Sequence, residues 1–230
     1  MRSQVCLSHR PWLALAVLVA AATACSSDQN TGPLVATSIT ASAGASQSGT
    51  VATALAAAVE VTVTDQDGNA VSNATVSWLV TAGGGTVASA ASQTDARGKA
   101  TVIWTLGTVA GVDSLQASIA SGASVKIGAI ATAGPMTGLV KVSGDAQSIL
   151  AGTTSAPLVV RAVDIFGNGV ANITVTWSVQ GGGTLSSTST STDTNGQSSV
   201  TLLTGAAPAT YTVTAVGNLV TNATFTVNGT

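Results

Sequence analysis

Hydrophobic and polar residues alternate along most of this chain. Valines alternate with Glu and Thr over residues 59–64, and the same period of two recurs around Trp78, Trp104, Trp177 and Tyr211. A period of two puts neighbouring side chains on opposite faces, so each run predicts a β-strand with one buried face. The runs are short, rich in β-branched residues and separated by Gly-Asn, Gly-Gly-Gly and Asn-Gly turns. The pattern therefore predicts antiparallel β-sandwiches without a helix of note.

One stretch of the chain is repeated about 99 residues further on. Residues 65–80 match residues 164–179 at 9 of 16 positions, and a Gly-Gly-Gly-Thr turn and a Thr-Asp-x-x-Gly turn follow both copies. A repeat of roughly one hundred residues has the size of a domain rather than of a solenoid unit. We expect two tandem sandwiches of about seven strands each, residues 34–134 and 135–230, divided at the Gly/Pro patch around Pro135.

The first 24 residues are predicted to be a signal peptide. Arg2, His9 and Arg10 give a positive start, and the uncharged apolar run Trp12–Ala24 follows, 13 residues long. A transmembrane helix needs about 20 such residues. The length and the flanking charges are therefore those of a cleaved secretion signal.

The end of that run predicts how the chain is processed. The sequence Ala22-Thr-Ala-Cys25 resembles a bacterial lipoprotein signal, in which the cysteine is acylated and becomes the new N-terminus. Ala22 stands where such signals usually carry Leu, and ordinary cleavage with secretion is the alternative. We expect a lipid anchor at Cys25 and a polar tether over residues 25–33. Ser26 after the cysteine favours the outer membrane.

Composition excludes several classes of function. From Cys25 onward the chain has five basic and nine acidic residues, a net charge of five minus nine, or −4. No basic residues cluster as nucleic-acid binding requires. The fraction of charged residues is 7%, well below the roughly 25% of average proteins. The surface is therefore expected to consist largely of hydroxyl side chains.

The sequence predicts no enzyme and no cofactor. His9 is the single histidine and lies in the predicted signal, so Ser-His-Asp, Cys-His and His-containing zinc sites cannot form in the processed chain. Glu60 is the single glutamate, and nothing in the spacing of the aspartates indicates a carboxylate pair across a cleft. The cysteines are Cys6 and Cys25. Processing leaves one of them, so no disulfide is expected within the chain.

One turn offers candidate ligands for a metal ion. Asp65, Asp67 and Asn69 place oxygen-bearing side chains at alternate positions, which makes them weak calcium candidates. The spacing does not fit an EF-hand loop, because position twelve is Val76 rather than glutamate. The second copy has Phe166 in place of Asp67. We therefore favour a tight turn in which the aspartate caps its own backbone.

Three tryptophans and one apolar turn are the candidate contact sites of the chain. Trp78 and Trp177 lie in register with the inward valines, and Trp104 alternates in the same way, so all three are predicted to be core residues rather than sugar-stacking platforms. Ile165 and Phe166 place two apolar side chains in a turn. Such a turn either packs against the neighbouring domain or forms an exposed contact point.

The order of these features resembles a known family. An Asp, a Gly-Asn turn and a Val precede a strand carrying Trp; a Gly-Gly-Gly-Thr turn, a Thr-Asp-x-x-Gly turn and a Val-rich strand follow. This order is similar to the bacterial immunoglobulin-like domains of the invasin and intimin type, over both modules. The first module departs from it by carrying Leu115 where Tyr211 would stand. The resemblance implies a surface-exposed stalk, spacer or adhesive module without catalysis.

The sequence thus predicts a non-catalytic lipoprotein of the cell envelope, at the outer membrane or cell surface. It contacts the membrane through Cys25, binds a protein or glycan surface ligand of unknown identity, and binds no nucleic acid. The alternative is a secreted or periplasmic accessory protein that binds carbohydrate or another polymer. That alternative requires exposed aromatic side chains, of which the chain has few. An enzyme would have to work without histidine.

Overall fold

The computed structural model describes residues 34–217 and 221–230. All regular secondary structure in these residues is β-strand. No helix in this part of the chain is long and apolar enough to cross a membrane. The predicted signal peptide at residues 1–24, the tether at residues 25–33 and the lipidation site Cys25 lie outside the described residues, so these three remain predictions.

The first domain contains ten strand segments. They are β1 (Ser38–Ala43), β2 (Gln47–Thr50), β3 (Val59–Thr64), β4 (Thr75–Ala82), β5 (Thr86–Val87), β6 (Ala91–Gln93), β7 (Lys99–Val102), β8 (Trp104–Thr105), β9 (Gly111–Ile119) and β10 (Ser124–Thr132).

The second domain repeats this order with ten more segments. They are β11 (Gly138–Ser143), β12 (Gln147–Ile149), β13 (Leu158–Val163), β14 (Thr174–Gln180), β15 (Thr184–Leu185), β16 (Ser189–Ser191), β17 (Gln197–Val200), β18 (Leu202–Leu203), β19 (Ala209–Gly217) and β20 (Thr221–Gly229).

Each domain is a sandwich of a three-stranded and a five-stranded sheet. The orders are β1-β3-β7 and β2-β10-β9-β4-β6 in the first domain, and β11-β13-β17 and β12-β20-β19-β14-β16 in the second. Two short ladders, β5-β8 and β15-β18, complete them. One core cluster in each domain draws buried residues from both main sheets. The predicted class, two tandem immunoglobulin-like β-sandwiches, is confirmed.

The ten segments of each domain come from about seven continuous runs, as the alternation predicts. Three of these runs are divided because they pass from one sheet to another: β1 continues as β2, β5 as β6, and β7 as β8. The β7 and β8 segments are separated only by Ile103. Hydrophobic alternation identifies a strand but does not indicate which sheet it joins, so these divisions could not be predicted.

One pairing in each domain is parallel, which differs from the expected antiparallel sheets. β2 pairs with β10 and β12 pairs with β20 in parallel register, whereas the other ladders are antiparallel. The change of sheet occurs at Gly44, where φ is 71° and a Cβ would lie 2.3 Å from the carbonyl oxygen of Ala58. Only glycine fits this kink. After it the first run lies beside the last strand and runs in the same direction.

Tryptophan side chains lie in the centres of both cores, as the sequence predicts. Trp78, Trp104 and Trp177 are all buried. The indole N–H of Trp78 donates to the hydroxyl of Ser92 over 2.9 Å, and that of Trp177 donates to Thr190 over 2.7 Å. The cores thus bury large apolar area while two of the three indole N–H groups keep a hydrogen bond.

The residue in the first domain that corresponds to Tyr211 is Asp113, not Leu115. Trp78 pairs with Ala117 across its ladder, and Trp177 pairs with Ala215. Counting back four residues from each alanine leads to Asp113 and Tyr211. The assignment of Leu115 was wrong by two residues, which is one period of the alternation. It paired two residues on the same buried face of the strand, and only the cross-strand register distinguishes positions on one face.

The two domains are joined by residues 133–137, between the end of β10 and the start of β11. The boundary predicted between residues 134 and 135 lies within this connection. Residues Leu34–Thr230 together form one compact unit. Contacts across the connection therefore belong to the fold.

The buried position of Trp177 leads to a stability prediction. Its ring lies 6.2 Å from the ring of Phe225, centroid to centroid. Trp177→Ala should lower the free energy of unfolding of the second domain by about 3 to 5 kcal/mol, as for other buried aromatic truncations. The measurement is denaturant unfolding. Leu150→Ala, at an exposed position of the same domain, is the control and should change little. Equal effects of the two substitutions would contradict the assigned core.

Candidate binding site at the domain junction

A turn from Asp164 to Asn168 follows strand β13 in the second domain. The Oδ1 atom of Asp164 accepts hydrogen bonds from the backbone N–H groups of Phe166 and Asn168, at 2.8 and 2.9 Å. Gly167 has a φ of 85°, which the turn requires. The aspartate therefore caps its own turn, as the sequence predicts.

The equivalent turn of the first domain holds the three calcium candidates. Oδ1 of Asp65 accepts from the backbone N–H groups of Asp67 and Asn69, and its Oδ2 accepts from the side-chain amide of Asn69. These hydrogen bonds, the one from Asn69 foremost, hold the pKa of Asp65 below its ordinary value. The donors occupy the carboxylate that a calcium ion would need. The geometry fits a capped turn, and the absence of calcium remains a prediction.

The side chain of Asn168 connects the two domains. Its Oδ1 accepts from the backbone N–H of Ala110 over 2.8 Å, and its Nδ2 donates to the carbonyl oxygen of Thr108 over 2.9 Å. Nδ2 also donates to Oδ2 of Asp164 over 2.9 Å. Asn168 is buried, whereas its counterpart Asn69 is exposed. We call these bonds between Asn168, Thr108 and Ala110 the interdomain clamp.

Asp164 ties the domain connection to the same turn. Its Oδ2 accepts from the backbone N–H of Gly134 over 2.9 Å. Burial of the carboxyl group favours its neutral form, but the hydrogen bonds from Asn168, Gly134 and Phe166 outweigh burial and hold the pKa of Asp164 below its ordinary value. The group is therefore an anion at neutral pH, with four hydrogen bonds to it.

A cleft of about 450 Å³ opens beside the clamp. The first domain contributes Val109 and Ala110, and the second contributes the turn 166–169 together with Arg161 and residues 194–195. Both domains line it, so the cleft depends on their relative position. Its volume lies within the range of small-ligand sites.

Arg161 supplies the cationic group in the lining of this cleft. Its Nε donates to the backbone carbonyl of Asn195 over 2.9 Å. A Cβ at position 169 would lie 2.1 Å from that carbonyl oxygen and 3.1 Å from Nη2 of Arg161. Gly169 therefore leaves the space in which Arg161 and Asn195 meet. The remaining guanidinium N–H groups have no hydrogen-bond or ion-pair partner among the described residues.

Apolar side chains are exposed in the lining of the cleft, at Val109 and Phe166, and at the adjacent Ile165 of the turn. The exposed fractions are 65% for Val109, 77% for Ile165 and 49% for Phe166. Of the two alternatives for the apolar turn, packing against the neighbouring domain is wrong for Ile165. Phe166 lines the cleft beside Val109 but keeps half of its surface exposed. The turn docks through its asparagine and leaves its apolar side chains free.

The cleft was not predicted from the sequence. In the sequence, Asn168 is part of a repeated Gly-Asn turn, and Arg161 is one of the five basic residues that follow Cys25. A signal for Arg161 does exist: it replaces Thr62 of the first copy, and Gly169 replaces Ala70. Differences between the two copies mark this site, whereas the repeated motifs consist of positions at which the copies are identical.

The described residues contain no group of three or more His, Cys, Asp or Glu side chains close enough to hold a metal ion. The carboxylates of Asp65, Asp95, Asp164 and Asp193 each accept backbone N–H bonds within their own turns. They form turns instead of facing one another. The arrangement at the junction supports recognition through hydrogen bonds, a cation and apolar contact.

The fold defines an immunoglobulin-like module, and comparison with protein families gives the same class. The model of the bacterial Ig-like domain, group 1, matches residues 54–131 and 140–229. These two matches cover most of the chain, so the protein belongs to this family and carries two tandem copies of the domain. A search among curated proteins finds no match.

Several solved structures are similar to this chain. The Escherichia coli adhesin FdeC matches 86% of this chain at 22% identity with a TM-score of 0.57, and the chain spans 64% of that structure. The D0-D1 domains of intimin match 84% of this chain and 98% of theirs, at 23% identity and a TM-score of 0.35. Invasin, described as a bacterial integrin-binding protein, matches 84% of this chain and 39% of its own, at 23% identity and a TM-score of 0.40. At these identities the likeness extends to the fold alone.

The interdomain clamp is testable by mutation. Asn168→Ala removes the bonds to Thr108 and Ala110, which are part-buried, and each lost hydrogen bond typically costs about 0.5 to 1.5 kcal/mol. Asn69→Ala is the matched control, because it loses the bond to Asp65 but no contact between domains. Denaturant unfolding should give a larger loss for Asn168→Ala, and residual dipolar couplings should detect a change in domain orientation. Equal losses and unchanged couplings would contradict the clamp.

The calcium prediction is tested separately. Addition of excess EDTA should leave the melting temperature of the protein unchanged, because backbone and amide donors already satisfy Asp65. Calcium titration of the chelated protein is the second measurement. A rise of several degrees on adding calcium, absent in Asp67→Asn, would identify Asp65, Asp67 and Asn69 as a metal site.

Proposed function

We propose that this chain is a non-catalytic surface lipoprotein of the bacterial cell envelope, whose two immunoglobulin-like domains act together as a spacer that carries a binding surface. The interdomain clamp is the observation that carries the proposal. Freely hinged domains would not hold a surface at a defined position, whereas hydrogen bonds from Asn168 to two backbone groups of the preceding domain favour one arrangement.

Family membership supports the same function. The described residues form two copies of the bacterial Ig-like domain, and FdeC, which shares the fold, is named as an adhesin. Fold does not determine function, so the role of this chain is argued from its own junction. That junction has a partly buried cation and exposed apolar side chains, which are suited to binding a partner.

The carbohydrate- or polymer-binding alternative has less support. Sugar-binding surfaces present aromatic rings to the ligand, but nearly all large aromatic side chains in the described residues are buried. These are Trp78, Trp104, Trp177, Tyr211 and Phe225. Phe166 remains as an exposed aromatic side chain, and a single ring does not make a stacking platform. We therefore favour a protein ligand over a glycan.

Attachment to the membrane is proposed to occur through Cys25. Each buried CH₂ of an acyl chain contributes roughly 0.8 kcal/mol, and stable anchoring requires more than one chain. A diacylated cysteine meets this requirement without any apolar surface on the domains. The tether of residues 25–33 would then separate the first domain from the membrane.

Fractionation of cells tests the anchor. With a C-terminal epitope tag, we expect the wild-type chain in the membrane fraction and Cys25→Ser in the soluble fraction or the medium, because the variant cannot be acylated. Cys6→Ser, a second cysteine substitution within the predicted signal, is the matched control and should remain membrane-bound. Retention of Cys25→Ser in the membrane would refute the lipid anchor.

Protease treatment of intact cells then tests orientation. Loss of the tagged wild-type protein on shaving indicates a chain that faces outward, as proposed. Full protection, with a periplasmic control protein also intact, would place it inside the envelope and would refute surface display. Wild-type protein found mainly in the culture medium would support the secreted alternative.

A further inference from the structure

We propose that the junction cleft binds an acidic peptide segment of a partner protein, in which a carboxylate pairs with Arg161 and a neighbouring apolar side chain contacts Val109 and Phe166. The inference deepens the proposed function, on which it rests, by naming the site and the chemistry of its ligand.

The guanidinium of Arg161 is held in place but not neutralised. Its Nε is bound to the carbonyl of Asn195, and no carboxylate of the described residues lies within ion-pair distance of it. Two other cations in this part of the chain, Lys99 and Lys141, do form ion pairs. A partly buried guanidinium with free N–H groups fits a carboxylate in bidentate geometry.

The fold does not require this arginine. The first domain has Thr62 at the same register position, pairs its strands in the same way and forms an equivalent core. The same comparison applies to Gly169, which is Ala70 in the first domain. A methyl group at position 169 would collide with the backbone of Asn195. The second domain therefore departs from the first at the two positions that create the cationic cleft.

The surroundings of Arg161 select against a bare anion. Asp164 and Asp193 lie in the adjoining turns, and the described residues together have five basic and eight acidic side chains. A free anion gains little in such a field. A ligand must therefore add apolar contact, which Val109 and Phe166 offer.

A peptide fits these groups better than a sugar. The large exposed apolar side chains of the lining are Val109 and Phe166, and the amide of Asn168 is already committed to the clamp. Phe166 is the one aromatic ring in the lining, so a sugar would have no second ring to stack on. Arginine beside an aromatic residue is, in contrast, a composition typical of energetically important contacts between proteins.

The test is a selection from a random heptapeptide display library on the purified, immobilised full chain. We expect enrichment of peptides that carry Asp or Glu next to a large apolar residue. The most enriched peptide is then synthesised, and its Kd is measured for the wild type and for variants by fluorescence anisotropy. Arg161→Gln should weaken binding roughly tenfold or more, as expected for loss of a charge-assisted contact.

Two further variants separate the cleft from general electrostatics and from misfolding. Arg97→Gln removes one positive charge at the position of the first domain that corresponds to Asn195, and it should bind like the wild type. Val109→Ala should weaken binding although it lies in the other domain. Circular dichroism and melting temperature establish that each variant is folded.

Several outcomes would overturn the proposal. These are no enrichment, enriched peptides without an acidic residue, or binding that survives Arg161→Gln. Oligouronates are tested in parallel; if they bind in an Arg161-dependent way and no peptide is enriched, the carboxylate belongs to a glycan. The assay uses purified protein and does not depend on Cys25 or on cell location. A negative result for peptide binding is therefore distinguishable from a failure of the surface-lipoprotein proposal.

Discussion

The side-chain amide of Asn168 is the contact on which the arrangement of the two domains depends. It satisfies one backbone N–H and one carbonyl oxygen of the preceding domain, while Asp164 holds both the amide and the connection at Gly134. Docking shields the backbone groups of this loop from water in part, and Asn168 supplies the hydrogen bonds that water would otherwise make. The cleft exists as a consequence, because one wall comes from each domain.

The two domains use different side chains to accept a hydrogen bond from the same backbone position. Gly107 and Gly205 occupy equivalent positions and each donates its backbone N–H to a side chain six residues later. The acceptor is the carboxylate of Asp113 in the first domain and the hydroxyl of Tyr211 in the second. The smaller aspartate is accompanied by the larger Trp104 where the second domain has Leu202. The smaller buried residue at one of these positions thus accompanies a larger core residue at the other.

Much of the fold follows from period-two alternation, and the burial of Trp78, Trp104 and Trp177 was predicted from it. The sheet changes of the divided strands and the register of Asp113 were not, because alternation gives the face of a side chain but neither its sheet nor its partner. The contacts at the domain junction could not be predicted from the sequence for a different reason. Asn168 and Ala110 are 58 residues apart, and a turn asparagine in a sequence carries no sign of whether a neighbouring domain supplies its hydrogen bonds.

The turn and the loop that form the clamp are not interchangeable between the two domains. Asn69 has the same turn geometry as Asn168, but the loop of the second domain that corresponds to Thr108–Ala110 carries Pro208 at the position of Ala110. Proline has no backbone N–H to donate. A second molecule could not dock its Asn69 on this loop with the same pair of bonds, so head-to-tail association through the clamp is disfavoured. The duplicated scaffold therefore carries a junction that only one order of domains can form.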